Sequence, residues 1–258
     1  MSTRIETRFL RNKNLIPIPK LTNITIIGAG GIGSFVLQGL TMMGWKCIHI
    51  WDNDLVSPHN LSTTAYPLNT QDIPKVEAAN IIHSMYSENW QTLKTYNDMF
   101  TKNSKIEPNM IVCTDDMESR KMIYNRWKEL NKGFFIDLRM GATTVEMVTM
   151  TPGNDTYDKY WIATNDVPEA PCSQKHTVFA TQHISSLGLS QTYNIVAKLA
   201  YFDYIWTSLN PKLVEFGTLM RPNSKGDGYA TSRNQSEESV SRLERNASRD
   251  DIFLHRSA

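Results

Sequence analysis

The chain has 258 residues, a formal net charge of +1 and 40% hydrophobic residues. This length suits one large domain or two small ones, with a core that needs no disulfide or metal to hold it. The balanced charge excludes a bulk nucleic-acid partner, and three scattered cysteines exclude a disulfide framework or a four-cysteine zinc site. No run approaches the ~20 apolar residues of a membrane span, and no apolar signal core follows the N-terminus, so we expect a cytoplasmic protein without a membrane partner.

The predicted elements begin with a basic, irregular segment over residues 1–20, whose prolines oppose a helix. A short β-branched strand at 23–27 is followed at once by a glycine-rich loop and by a helix at 35–43 that stops at Gly44. A second strand follows at 46–51. Together they predict a β-α-β unit of about thirty residues, which closes right-handed in a parallel sheet.

Strands and helices continue to alternate along the chain. We predict helices at 74–86, 118–131 and 185–209, strands at 91–96, 109–113, 134–138 and 145–150, and a loop or crossover at 151–175. An antiparallel arrangement is open for the strand at 145–150. The pattern predicts an α/β, Rossmann-like, mostly parallel twisted sheet with helices on both faces, in one domain over 21–220. The polar, Ser/Asn-rich segment 221–258 is predicted to be a disordered tail.

The glycine loop, Gly28-Ala29-Gly30-Gly31-Ile32-Gly33, fits the pattern G-x-G-x-x-G between a strand and a helix. Such glycines permit a tight turn and let backbone N–H groups approach phosphates at a helix N-terminus. Asp52 ends the second strand, where a carboxylate can bind a ribose hydroxyl. Alone, these features favour binding of NAD or FAD. The alternative is a purely structural role, in which the small residues allow a tight helix–strand crossing that binds no ligand.

Three further motifs change this interpretation. They are Asp52-Asn53-Asp54-Leu55-Val56-Ser57-Pro58-His59-Asn60-Leu61, then Pro74-Lys75, then Cys113-Thr114-Asp115-Asp116 followed by Arg120. In this order and spacing they resemble the ubiquitin-activating-enzyme-like superfamily, which includes the ThiF/MoeB-type adenylyltransferases. The resemblance covers residues 21–150 and, more loosely, 168–205. It implies a homodimer that binds Mg-ATP and adenylates the C-terminal carboxylate of a small ubiquitin-like protein or peptide.

The resemblance also assigns roles to individual residues. It implies nucleotide contacts by Gly28, Gly30, Gly31 and Gly33, ribose binding by Asp52 with Asp54 nearby, phosphate contacts by Asn60 and Lys75, and magnesium binding by Asp115. The chemistry agrees, because a lysine and a metal ion stabilise the charge that builds when a carboxylate attacks the α-phosphate. The alternatives are a solvated first-turn lysine for Lys75 and, for the neighbouring Asp116, a helix N-cap.

The sequence departs from the family pattern at three points. Thr63 stands where the family has an arginine that contacts the phosphates, so a substitute cation, slow catalysis and loss of adenylation are all open. Arg8-Phe9-Leu10-Arg11 resembles the segment whose arginine reaches the partner subunit's site, but its spacing is shorter, with Arg11 only 17 residues before Gly28. The resemblance makes Arg11 a catalytic candidate, with a solvated basic N-terminus as the alternative. The family's paired C-x-x-C motifs are missing, so we predict no zinc.

Cysteines and one arginine complete the candidates. Cys172 lies in a stretch that resembles the surroundings of the thioester-forming cysteine of eukaryotic activating enzymes, and nearby Lys175 would lower the pKa of its thiol. The alternative is a bystander loop cysteine. Cys113 is interpreted as a core residue. Arg139 is either a cation near the site or a surface arginine.

Three competing functions stay open. An NAD-dependent oxidoreductase would use the glycines and Asp52 but would have no use for Asp115 or Lys75. A catalytically weakened nucleotide-binding scaffold of the same fold is favoured by Thr63. A related ATP-dependent enzyme would activate a small-molecule or tRNA carboxylate and differ only in the acceptor.

Overall fold

The computed structural model describes residues 7–12, 14–163, 177–222 and 229–231. It opens with the β-α-β unit expected from the sequence. Strand β1 (Asn23–Ile27) pairs in parallel with β2 (Cys47–Trp51), and helix α1 (Gly31–Met43) connects them. The helix begins at the glycine loop itself, four residues earlier than predicted, and ends at Gly44, whose φ of +99° requires glycine.

The other helices and strands follow in alternation and then as a run of antiparallel strands. They are α2 (Lys75–Tyr86), β3 (Thr92–Tyr96), β4 (Asn109–Val112), α3 (Met117–Leu130), β5 (Phe134–Met140), β6 (Thr144–Met150), α4 (Val178–Val196), β7 (Tyr201–Phe202), β8 (Tyr204–Leu209), β9 (Lys212–Phe216), β10 (Leu219–Pro222) and β11 (Tyr229–Thr231).

Within the described residues the main sheet has eight strands in the order β3-β2-β1-β4-β5-β6-β8-β9. The first five strands in that order, β3 to β5, are parallel, whereas β6, β8 and β9 pair antiparallel with their neighbours. The chain leaves β1 toward β2 on one side and later returns to β4 on the other. This change of direction is the switch point at which open α/β sheets bind ligands, beyond the carboxyl ends of the strands.

Apolar side chains fill both faces of this sheet. One cluster packs residues of β1 and β2, such as Ile26 and Ile48, against helices α1, α2 and α4. The other packs Trp51 and Phe135 against α3, where Trp127 is almost fully buried. Helices therefore cover both faces, which confirms the predicted Rossmann-like fold class.

The predicted helix at 185–209 is wrong in its second half. Helix α4 begins at Val178 and ends at Val196, and Lys198 takes a left-handed φ of +58°. The aromatic and β-branched residues that follow form β7 and β8 instead, in keeping with their preference for strands. The apolar run was long enough for a helix, but the run alone does not distinguish a buried helix from buried strands.

The domain boundary predicted at residue 220 falls inside β10. This strand pairs with β7 on one side and with β11 on the other, so residues 221, 222 and 229–231 contribute to a small three-stranded sheet. The rest of the predicted tail lies outside the described residues. None of the helices in the described ranges combines the length and apolar character needed to cross a bilayer.

Candidate nucleotide-binding site

The glycine loop is shaped by two close backbone approaches. Gly28 has a φ of +93°, and a Cβ atom there would lie 2.8 Å from the carbonyl oxygen of Cys113 at the end of β4. At Gly33 a Cβ atom would overlap the carbonyl oxygen of Gly28. Both positions therefore require glycine for the crossing of β1, β4 and α1, whether or not a ligand binds.

Gly30 is different, because a Cβ atom there would meet nothing within 4 Å. It is the N-cap of α1, with a negative φ of −75°, so sterics do not demand glycine at this position. The open space lies at the N-terminus of α1, where unpaired N–H groups and the helix dipole favour an anion. This open space, called the cradle below, is of the kind at which proteins bind phosphate groups.

Gly31 lies at the edge of the cradle between two other segments. A Cβ atom on Gly31 would lie 3.1 Å from the carbonyl oxygen of Thr63 and 3.3 Å from the methyl group of Thr181 in α4. Ser34, one turn further along α1, accepts a 3.0 Å hydrogen bond from the backbone N–H of Ala65. The loop after Asn60 and the first turn of α4 therefore flank the glycine loop.

The side chain of Asp52 is largely buried and supports the glycine loop directly. Its Oδ2 atom accepts a 2.7 Å hydrogen bond from the N–H of Ala29, and its Oδ1 atom accepts one of 2.9 Å from the N–H of Asp54. The side chain is 8% exposed. The carboxylate predicted to bind ribose thus also orders the loop that would hold the phosphates, a second role that the sequence did not reveal.

Lys75 lies beside this carboxylate. Its Nζ atom is 2.6 Å from Oδ2 of Asp54 and 3.5 Å from Oδ1 of Asp52, and the residue is 9% exposed. The alternative of a solvated lysine is therefore wrong. The strand-end aspartates hold the ammonium group in place, so its positive charge is already paired with carboxylates.

Tyr66 closes the inner side of the loop. Its hydroxyl donates a 2.6 Å hydrogen bond to the carbonyl oxygen of Ala29. Burial, and then the nearby Asp52 carboxylate, raise the pKa of Tyr66 well above its usual range. The phenol therefore stays protonated and acts as a fixed donor to the glycine loop.

The side chain of Asn60 stabilises a local turn. Its Oδ1 atom accepts hydrogen bonds from the N–H and the hydroxyl of Ser57, at 3.1 and 2.7 Å, in a capping box around the short 3-10 turn Pro58–Asn60. Thr63 then bonds back to the Asn60 carbonyl through its own N–H at 3.0 Å. Asn60 therefore lies one turn before Thr63, whose carbonyl oxygen flanks Gly31 and whose side chain is short and neutral.

The segment between β4 and α3, residues 113–116, also borders the glycine loop and is called the second edge of the site. The N–H of Thr114 lies 3.0 Å from the position of a Cβ atom on Gly28, and the Thr114 hydroxyl is buried without a hydrogen-bond partner in the described structure. Asp115 is exposed beside it. Asp116 accepts a 2.7 Å hydrogen bond from the N–H of Ser119, which confirms its interpretation as the N-cap of α3.

Asp115 is a lone metal candidate. Nowhere in the described ranges do three or more His, Cys, Asp or Glu side chains group closely enough to hold a metal ion. Magnesium commonly uses one or two carboxylates together with phosphate oxygens and water. An exposed carboxylate next to the cradle suits that arrangement, and the magnesium site stays a prediction.

Arg11, one of the predicted catalytic residues, lies away from this site. Arg11 is exposed, and the nearby Phe9 packs against Gly44 at the far end of α1, about 20 Å along a helix of this length from the glycine loop. Arg11 could act on a nucleotide only in a second subunit, as the resemblance implies. Cys172 lies outside the described residues. Burial raises the pKa of the Cys113 thiol to about 12, which suits a core cysteine.

Sequence reasoning missed a buried charge network behind the second edge. Arg120 and Arg139 both bind the fully buried carboxylate of Asp137, and Arg139 also reaches Glu146 at 3.0 Å. Neither interpretation offered for Arg139 describes this arrangement. The available signal was a charged pair inside the apolar strand run 134–140, since such residues are seldom buried unless they are paired.

Comparisons with known proteins agree with this arrangement. The model of the ThiF family matches residues 16–221. The chain belongs to the ThiF family. This confirms the resemblance that the ordered motifs indicated. A search of curated protein sequences finds no relative.

Solved structures of similar fold include those of PaaA and MccB. PaaA is 15% identical with a TM-score of 0.66, over 84% of this chain and 74% of its own. MccB from E. coli in complex with ATP is 15% identical with a TM-score of 0.66, over 83% of this chain and 70% of its own. MccB with MccA gives 15% identity and a TM-score of 0.68, over 88% and 75%. At this identity the likeness shows the fold, while membership of the ThiF family supports the adenylyltransferase class.

Proposed function

We propose that this ThiF-family chain is an ATP-dependent adenylyltransferase that activates the C-terminal carboxylate of a peptide or a small ubiquitin-like protein. The observation that carries the proposal is the open cradle at Gly30, where the residue is glycine although no neighbouring atom excludes a side chain. A bound phosphate explains that choice, because only a residue without a side chain leaves room for it.

Each element around the cradle has a part in holding the nucleotide. Backbone N–H groups at the start of α1 bind phosphate oxygens. Asp52, already fixed by Ala29 and Asp54, offers its remaining lone pairs to the ribose hydroxyls. Lys75 moves its ammonium group from Asp54 toward the phosphates, which a flexible four-carbon side chain allows.

The reaction follows from that placement. A carboxylate oxygen of the acceptor forms a bond to the α-phosphorus of ATP, the bond from that phosphorus to the pyrophosphate oxygen breaks, and pyrophosphate leaves. Lys75 and the helix N-terminus stabilise the negative charge on the phosphate oxygens during this step. Magnesium bound at Asp115 would neutralise further charge on the phosphates.

The proposed acceptor is a peptide or small protein that ends in a free carboxylate. The MccB structures contain ATP in one case and MccA in another, which supports a nucleotide acting together with a second component. Transfer of the activated carboxylate to Cys172, a homodimeric assembly and an Arg11 contribution to the partner's site belong to the same proposal. A thioester that is sensitive to reducing agent and is lost in Cys172→Ala would support the transfer step, whereas an unaltered adduct would contradict it.

A weakened nucleotide-binding scaffold is the second candidate. Thr63 favours it, because a neutral side chain stands where the family has a phosphate-binding arginine. Such a protein would bind ATP but would not catalyse ATP–pyrophosphate exchange. The two candidates therefore share the cradle and differ only in the chemical step.

ATP–pyrophosphate exchange with magnesium tests the proposal. We expect exchange with the full chain in the presence of acceptor peptides that end in a free carboxylate, and none with the same peptides amidated at the C-terminus. Asp115→Ala should abolish the exchange because it removes the predicted metal ligand. Exchange that is unaffected by Asp115→Ala would refute the magnesium assignment, and ATP binding without exchange would favour the scaffold.

A further inference from the structure

The segment that carries Asp115 is held from behind by Arg120. This arginine lies in the first turn of α3 and is 4% exposed. Its Nη2 group donates a hydrogen bond to the carbonyl oxygen of Thr114, and its Nη1 group donates to Oδ1 of Asp137 and, at 3.0 Å, to the carbonyl oxygen of Leu138. One guanidinium thus ties the residue before Asp115 to the middle of β5.

The anchor of this contact is rigid. Asp137 is fully buried, and its Oδ2 atom accepts hydrogen bonds from Arg139 at 2.9 and 2.7 Å and from the Tyr157 hydroxyl at 2.8 Å. Although burial raises the pKa of the Asp137 carboxyl, Arg120 and Arg139 outweigh that effect and hold it below its usual range. The carboxylate stays ionised and fully bonded, so Arg120 has a fixed partner.

The segment in front of Arg120 has few other constraints. Asp116 caps α3 and fixes the end of the segment, and Asp115 itself is exposed. The Thr114 hydroxyl and the Nε atom of Arg120 are both buried without a hydrogen-bond partner in the described structure. The Thr114 carbonyl, which directly precedes Asp115 in the backbone, is held by Arg120.

We propose that Arg120 is a positioning residue, which sets the direction of Asp115 toward the glycine loop through the carbonyl of Thr114. The inference rests on the proposed function, because it gives Asp115 a metal to bind. A lysine cannot replace Arg120, since one ammonium group lacks the planar fork that serves Thr114, Asp137 and Leu138 together. Loss of such an outer partner costs a metal site about 10- to 100-fold in affinity or activity.

The chain provides a matched control on the same helix. Arg126 also donates to two backbone carbonyls, those of Thr101 at 3.1 Å and Ser104 at 2.6 Å, but these lie in the loop before β4. Arg126→Lys makes the same chemical change to an arginine of α3 without touching Thr114. A general destabilisation of α3 would affect both lysine variants, whereas loss of a positioning role would affect Arg120→Lys alone.

Hydrogen exchange by mass spectrometry of the full chain tests the inference without relying on activity. We expect Arg120→Lys to increase amide exchange in peptides that cover residues 113–119, and Arg126→Lys to leave those peptides unchanged. Equal protection of residues 113–119 in the wild-type chain and Arg120→Lys would overturn the proposal. Should Arg120→Ala fail to fold, Arg120→Lys and Arg120→Gln provide the same comparison.

Pyrophosphate exchange adds the functional readout. The magnesium concentration for half-maximal exchange should rise about 10- to 100-fold in Arg120→Lys and stay at the wild-type value in Arg126→Lys. Added guanidinium at low concentration should restore part of the loss in Arg120→Ala. An equal shift in both lysine variants would show a merely structural role. A wild-type chain without exchange but with the expected amide pattern would refute the proposed function and leave the positioning of the segment standing.

Discussion

Replacement of Gly30 by alanine should separate nucleotide binding from folding. A methyl group at this position meets no atom within 4 Å, and the backbone φ of −75° is negative. At Gly33, three residues further on, the same methyl group would overlap the carbonyl oxygen of Gly28. The two variants therefore add one carbon each, the first to the open cradle and the second to the packed crossing beneath it.

The structure sets the magnitude of each effect. For Gly30→Ala, loss of a favourable N-cap residue and loss of backbone entropy in the unfolded chain are each about 1 kcal/mol or less and oppose each other. The Tm should therefore stay within about 4 °C of the wild-type value. A methyl group that crowds a phosphate should cost about 1–3 kcal/mol, by analogy with overpacked cores, which corresponds to roughly 5- to 140-fold weaker binding.

Thermal unfolding and calorimetric titration with Mg-ATP measure the two quantities on the same samples. We expect Gly30→Ala to unfold near the wild-type temperature and to bind ATP at least fivefold more weakly, whereas Gly33→Ala should lose more than about 4 °C in Tm because α1 must shift. Wild-type ATP affinity in Gly30→Ala would refute the assignment of the open space to a phosphate. A large loss of stability in that variant would refute the description of the space as open.

Three further predictions follow from individual residues. Thr63→Arg should raise the rate of pyrophosphate exchange at least about tenfold if a missing phosphate-binding charge limits catalysis, and an unchanged rate would mean that another group already supplies it. At pH 8 the native Cys113 thiol should react with iodoacetamide about 1,000-fold more slowly than in urea, because burial raises its pKa to about 12; equal rates by mass spectrometry would contradict its burial. Burial lowers the pKa of His83, so the unfolded chain takes up its proton first and the free energy of unfolding should fall as the pH drops below about 6.5. His83→Gln should reduce that fall in urea titrations, and an identical pH dependence would contradict it.

Local sequence patterns were sufficient to predict the N-terminal β-α-β unit. The strand at 23–27, the glycine run and the strand at 46–51 each carry a signal within a few residues, and the structure has all three in place. The start of α1 was predicted four residues late, because the glycines that begin it are poor helix formers and their helical conformation is imposed by packing. Tertiary contacts, not propensity, decide such a boundary.

Contacts across the sheet could not be predicted in the same way. Nothing in the run around Lys75 shows that Asp54 and Asp52 hold its ammonium group, since they lie more than twenty residues earlier in the chain. The Arg120–Asp137 pair joins α3 to β5 in a similar manner. The apolar residues 199–209 were misassigned for another reason, because a buried strand pair and a buried helix share the same composition.

The proposed function depends most directly on which nucleotide the glycine loop binds. Equilibrium titrations of the full chain with Mg-ATP and with NAD, under one set of conditions, measure this without any knowledge of the acceptor. We predict binding of ATP that is at least about tenfold tighter than that of NAD, a difference of ~1.4 kcal/mol, and weaker ATP binding in Gly30→Ala. Tighter binding of NAD, with no effect of magnesium on either titration, would contradict adenylyl transfer and return the site to the oxidoreductase alternative.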